Sequence, residues 1–161
     1  MRFELINLSS DIVEQKAVEE ILKCNSFTER FGLALSHQQS ARLSETRRAS
    51  LKSNGRIEFG GGVIETIIFE FCDSPYIDSN NYTDILNDLT EIFYYFKNET
   101  MDMVSDHELI RFMKTSFDGV CQGSLEALAG RELYNLTRSL VFGKDAVEED
   151  EEDKEDCDEQ F

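Results

Sequence analysis

Residues 56–77 read Arg56-Ile57-Glu58-Phe59-Gly60-Gly61-Gly62-Val63-Ile64-Glu65-Thr66-Ile67-Ile68-Phe69-Glu70-Phe71-Cys72-Asp73-Ser74-Pro75-Tyr76-Ile77. Ile64, Ile67, Ile68 and Phe71 recur at the i, i+3, i+4, i+7 spacing of one helix face, and Val63, Phe69 and Cys72 widen the stripe. The spacing predicts a largely buried helix from about Val63 to Asp73. A hairpin pairing 56–59 with 63–69 is the alternative, because the residues are β-branched, but strict alternation is missing. Ser74-Pro75 closes the segment, since the residue before proline avoids the helical region.

Working outward, the flanking segments are helical too. Ser36 and Gln39 fit a capping box ahead of a helix running to Ser53, with Asn54-Gly55 as its stop. Tyr82 to Asn98 carries Ile85, Leu89, Ile92, Phe93 and Phe96 on one continuous face, after a loop and cap region at Asn80, Asn81 and Thr83. Ser105 and Glu108 form a second capping-box pattern, and the helix they open ends at Phe117-Asp118-Gly119. A last helix is expected from Ser124 to about Phe142, lined by Leu125, Leu128, Leu133, Leu136 and Leu140. Nearer the start, Ile12 to Cys24 has helical spacing, with Ser9, Ser10 and Asp11 as candidate caps. Residues 1–9 read as a short strand or an extended arm. The expected fold is all-α, five to six helices around a buried central helix, with a short N-terminal strand or hairpin as its only β element.

The chain has 161 residues, enough for one domain and short for two. Residues 1–143 form that domain. Residues 144–161 read as a disordered acidic tail: they hold 11 acids and 2 lysines, a charge of −9 out of the total of −17. Such a balance argues against a nucleic-acid-binding body or an anionic membrane surface, both of which need a basic footprint. No apolar run reaches the roughly 18–20 residues that span a bilayer. Cys24, Cys72, Cys121 and Cys157 are too widely spaced for a C-x-x-C motif, and with no signal peptide a reducing, cytoplasmic setting is expected.

Four features of the sequence could carry chemistry. Gly60, Gly61 and Gly62 ahead of a helix suggest a phosphate cradle, with Arg56 close by. A P-loop needs Gly-Lys-Ser/Thr there, and Val63-Ile64 stand in its place. The simpler reading is a backbone corner where a neighbour packs close. Arg47 shares a face with Leu43 and Leu51, which makes it either a structural ion pair or an arginine aimed at an anion. Arg48, Lys52 and Glu45 form a separate, solvated stripe. Glu65, Glu70, Asp73 and Asp78 offer ligands for a magnesium ion or a general base, but more simply solvate the helix or pair with arginines. His37 and His107 each stand on a first helical turn, outside any metal motif. No catalytic residue, metal site or cofactor is therefore expected.

The central residues have a familiar pattern. Ala41-Arg42-Leu43 through Arg47, Gly55 through Gly62, and Phe71-Cys72-Asp73-Ser74-Pro75-Tyr76-Ile77 resemble an uncharacterised family of small proteins from clostridia-like bacteria, a domain of unknown function. Glu91 to Glu99, Phe117-Asp118-Gly119 and Cys121 to Glu126 look like further blocks of it. The resemblance covers roughly residues 31–137. It implies a bacterial, cytoplasmic, single-domain protein and supplies no activity. Two functions are then expected. The first is a non-enzymatic interaction or regulatory protein whose partner is another protein, with Tyr76, Tyr82 and Tyr95 as exposed aromatics. The alternative is a binder of, or enzyme on, an anionic small molecule, built from Arg42, Arg47, Arg56 and Gly60–Gly62, with Asp73 or Glu70 as acid/base.

Overall fold

The structure is a computed structural model. It describes the backbone of residues 2–58 and 62–143, and side chains from residue 12 onward within those ranges. Helices α1 (Arg2–Lys23) and α2 (Asn25–Thr28) lead through a 3-10 turn (Glu29–Phe31) to α3 (His37–Ser53). Then follow α4 (Gly62–Phe71), α5 (Tyr82–Glu99), α6 (Asp106–Asp118) and α7 (Leu125–Ala127). A π-helical turn over Leu128–Glu132 joins α7 to α8 (Leu133–Val141). The fold is all-α, and no strand occurs among the described residues.

Local sequence explains the helix ends. Ser36 Oγ accepts from the Gln39 amide at 3.1 Å while the Gln39 side chain accepts from the Ser36 amide at 2.8 Å, completing the capping box. At the other end of α3, Gly55 takes φ +64 and lets the Arg56 amide reach back to the Leu51 carbonyl at 2.8 Å. Ser105 and Ser124 cap α6 and α7 through the amides of Glu108 and Ala127. Asn81 precedes α5 without capping it by its side chain. Its amide group instead ties the preceding loop together, accepting from the Asp78 amide and donating to the Tyr76 carbonyl.

The core gathers around α5, which packs against α3, α4, α6 and α8. Leu89, Phe93 and Tyr94 of α5 are fully buried. Helix α4 buries Val63, Ile64, Ile67, Ile68 and Phe71, with Cys72 just beyond its end, but Phe69, expected to widen the same stripe, turns outward. Phe71 meets Phe117 of α6 edge-on at 5.6 Å. Leu128 and Leu133 are both fully buried although five residues apart. Five residues span about 500° of regular helix and would put them on different faces. The wider π turn between them brings both leucines to the core.

Three expectations are corrected. Residues 2–9 are helix, not strand, so Ser9 and Ser10 lie inside α1 rather than capping it. Extending an existing helix adds one bond per residue fixed, whereas a lone strand finds no sheet to pair with. The 56–59/63–69 hairpin is absent, because 63–69 lies within α4. Tyr82 is buried rather than exposed, as the first residue of α5 facing inward. The expected acidic tail, with Cys157, and the residues Phe59, Gly60 and Gly61 lie outside the described residues.

Gly123 and Gly62 differ in what they require. Gly123 has φ +81, and an added Cβ would stand 2.6–2.8 Å from the ring and Cβ of Tyr76. At Gly62 a Cβ would meet nothing within 4 Å, so the close-packed corner expected there is not needed at this residue. Gly123→Ala should lower stability by about 2 kcal/mol or more in urea melts, from backbone strain plus the clash. Gly62→Ala should be neutral or stabilising by up to about 1 kcal/mol.

Candidate functional site

Helices α3 and α5 run in the same direction. Arg42 meets Asp84, Thr46 donates to Asn87, Arg47 meets Tyr94, and Arg56, just past the end of α3, meets Asn98. The α5 positions met by Arg42 and Arg56 are 84 and 98. At about 1.5 Å rise per residue they stand roughly 20 Å apart. The three arginines therefore form a row rather than a cup.

Each engages an acid. Arg42 is exposed and reaches Asp84 at 3.5 Å. Arg47 is largely covered: it donates to Glu58 Oε2 at 3.2 Å and, through Nε, to the Tyr94 hydroxyl at 3.2 Å. Tyr94 in turn donates to the same Glu58 oxygen at 2.6 Å. Burial, with the adjacent Glu58 carboxylate, pushes the Tyr94 phenol well above its ordinary range and keeps it a donor. Arg56 grips Asp102 with two nitrogens, at 2.7 and 3.2 Å. Arg48 belongs to a different face and pairs with Glu14 and Glu45.

Asp73 is far from this row in its contacts. It pairs with Lys114 at 2.6 Å, and Lys114 also holds Asp118 at 2.8 Å. Burial works against the Lys114 charge, but the bonds to Asp118 and Asp73 outweigh it and raise its pKa. Ser74 donates to Asp118 at 2.6 Å, and Tyr76 stacks edge-on against Phe117 at 6.1 Å. The segments 71–77 and 117–123, separate in sequence, thus close on each other as one joint. Asp78 is a turn former, accepting from the amides of Asn80 and Asn81. Glu65 and Glu70 lie on the outer side of α4, half-buried. Among the described residues no group of three or more His, Cys, Asp or Glu side chains is placed to hold a metal ion. His37 and His107 are exposed on first turns. Cys24, Cys72 and Cys121 are buried free thiols, and burial raises all three, Cys24 to about 11. Such thiols are poor nucleophiles.

Of the expected site residues, Arg42, Arg47 and Arg56 thus stand apart, Gly62 opens α4, and Asp73 serves another joint. Glu58, Tyr94, Lys114 and Asp118 are polar partners that sequence reading did not assign. Tyr94 carried one signal, a hydroxyl within the apolar face of α5.

The family model for a family of unknown function (DUF6323) matches residues 20–146. The chain belongs to this family. The match includes the whole of 31–137, where the resemblance was noted, and leaves most of α1 outside. No curated protein and no solved structure matches the chain.

Two buried tyrosines separate a used hydroxyl from an idle one. The Tyr82 hydroxyl is buried without a hydrogen bond, and the adjoining Thr28 hydroxyl donates to the Leu33 carbonyl instead. Tyr94→Phe should cost about 1–3 kcal/mol in chemical denaturation, because Glu58 and Arg47 lose a partner. Tyr82→Phe should be neutral or stabilising. The Arg56 bonds hold the Asp102 carboxyl below its ordinary 3.8. A depressed carboxyl contributes stability above its unfolded value and loses it as pH falls through the folded one. Asp102→Asn should therefore destabilise at neutral pH, by less than about 1 kcal/mol for so exposed a group. Wild type and variant should converge in urea melts as the pH drops below 3.8.

Proposed function

We propose that this chain is a non-enzymatic protein-interaction or regulatory protein, adaptor-like, of the bacterial cytoplasm. Its partner is another protein, not a nucleic acid or a membrane. The observation that carries this reading is the dispersal of Arg42, Arg47 and Arg56 onto three separate acids. An anionic metabolite at Arg47 would have to displace Glu58 and its bond to Tyr94. Exposed aromatics support the same reading: Tyr95, Tyr134 and Phe142 each keep more than half of their surface. Aromatic residues are enriched at protein interfaces. For the compartment, the support is three free buried thiols and the absence, among the described residues, of a helix long and apolar enough to cross a membrane.

Affinity capture from native lysate with the full chain as bait tests the proposal. A stoichiometric protein partner retained at moderate salt is expected, and nothing above background at several salt concentrations overturns it. Thermal melts with inorganic phosphate and nucleotides test the anion-site alternative. A ligand at 100 times its Kd adds about 2.7 kcal/mol of stability. No shift is expected. A shift of several degrees that Arg47→Met abolishes would replace the interaction reading with the anion site.

A further inference from the structure

Phe27 of α2, Phe31 of the 3-10 turn and Phe69 on the outer face of α4 come together from two distant segments. The Phe27 ring lies 5.9 Å from Phe31 and 5.5 Å from Phe69, the second pair edge-on. All three stay outside the core cluster and keep 37%, 43% and 46% of their surface exposed. Single exposed apolar residues need no explanation; three rings in mutual contact form one continuous apolar patch, the kind of surface that contact sites use. The Arg30 guanidinium sits 4.2 Å over Phe27 and donates Nε to the Phe27 carbonyl at 3.0 Å. That arrangement braces one side of the group.

The surrounding charge is mainly negative. On α4, Glu65 precedes Phe69 by one turn on the same face and Glu70 follows it about 100° round the helix; Asp73, past the end of α4, is held by Lys114. Glu29 stands beside Arg30 in the 3-10 turn. Against these acids stand Arg30 and, at the end of α1, Lys23; Lys114 is already committed to Asp73 and Asp118. An acidic rim repels anionic lipid and favours a cationic partner, and the total charge of −17 steers the same encounter. We propose that Phe27, Phe31 and Phe69 form the docking surface for an apolar segment of a partner protein flanked by lysine or arginine. The rings supply the buried anchors, and Glu65, Glu70 and Glu29 set the charge preference. This deepens the interaction reading given above and rests on it.

The test titrates the full chain into a fluorescent synthetic helix with leucines on one face and lysines on the other, at physiological salt. Saturable binding is expected, with backbone amide resonances moving in 26–32 and 65–70. Combined Phe27→Ser and Phe69→Ser should weaken it at least about tenfold, as loss of two interface anchors does. Combined Glu65→Lys and Glu70→Lys, which alters no ring and leaves the core intact, should weaken it and flatten its salt dependence. Undiminished binding by both double variants overturns the surface, as does resonance movement only elsewhere, residues 144–161 included. Equal binding to a helix with glutamate in place of lysine, or tighter binding to phosphatidylserine vesicles, overturns the partner chemistry. A partner captured from lysate and held at full affinity by both double variants refutes this surface but leaves the interaction reading standing. Failure to capture any partner refutes the interaction reading itself.

Discussion

The parallel packing of α3 along α5 is the constraint on which the other contacts depend. Two helices that run the same way cannot be joined by a short turn; the chain must return to the starting end first. The stretch 56–77 is that return. It carries α4 back across the core, where it packs on α5, α6 and α1. This explains why the densest apolar run of the chain sits between two more polar helices. A return segment buried among three neighbours needs a wide apolar stripe, and Ile64, Ile67, Ile68 and Phe71 provide it. Polar pins along the α3–α5 seam, from Thr46 on Asn87 to Arg47 on Tyr94 and Glu58, set the register of the two helices.

Much of this was legible in the sequence, because local signals and global packing agree. The Ser36 box, the Gly55 stop and the stripes of α4 and α5 each follow from residues a turn apart. Two elements were read less well. Residues 2–9 have short apolar runs that fit strand or helix equally, and only continuity with the following helix decides the matter. The last helix was read as regular although Leu128 and Leu133 are five apart, a spacing that regular helix cannot bring to one face. That gap was the visible trace of the π turn. Tyr82 misled for another reason. A hydroxyl at a helix start suggests exposure, yet the ring faces inward with its hydroxyl unpaired.

The candidate site was far less legible, since ion pairs form between segments that sequence spacing does not relate. Arg47 was correctly placed on the apolar side of α3, but its partners Glu58 and Tyr94 are 11 and 47 positions away. Asp73 and the arginines lie near one another in the chain and yet serve different joints. The loop after α5 shows the same limit. Met101 and Asp102 take φ +56 and +58, a left-handed pair that aspartate tolerates and that glycine would adopt at less cost than methionine. There Asp102 receives Arg56, so the side chain that closes the far end of the α3–α5 seam also secures a strained turn.

Charge balance ties these observations together. The chain has 33 acids against 16 lysines and arginines, and acids exceed bases in residues 1–143 as well, so most of its cations find a carboxylate at hand. Arg42, Arg47, Arg48, Arg56, Lys97 and Lys114 each have one or more within ion-pair reach. An anionic ligand would have to outcompete intramolecular partners that are already oriented and cost no association entropy. A cationic partner faces the opposite situation. Glu65, Glu70 and Glu29 outnumber Arg30 and Lys23 around three phenylalanines whose rings are still partly open to solvent. The same excess of acid that closes the arginine row to anions therefore leaves the aromatic face as the place where new contacts are electrostatically favoured.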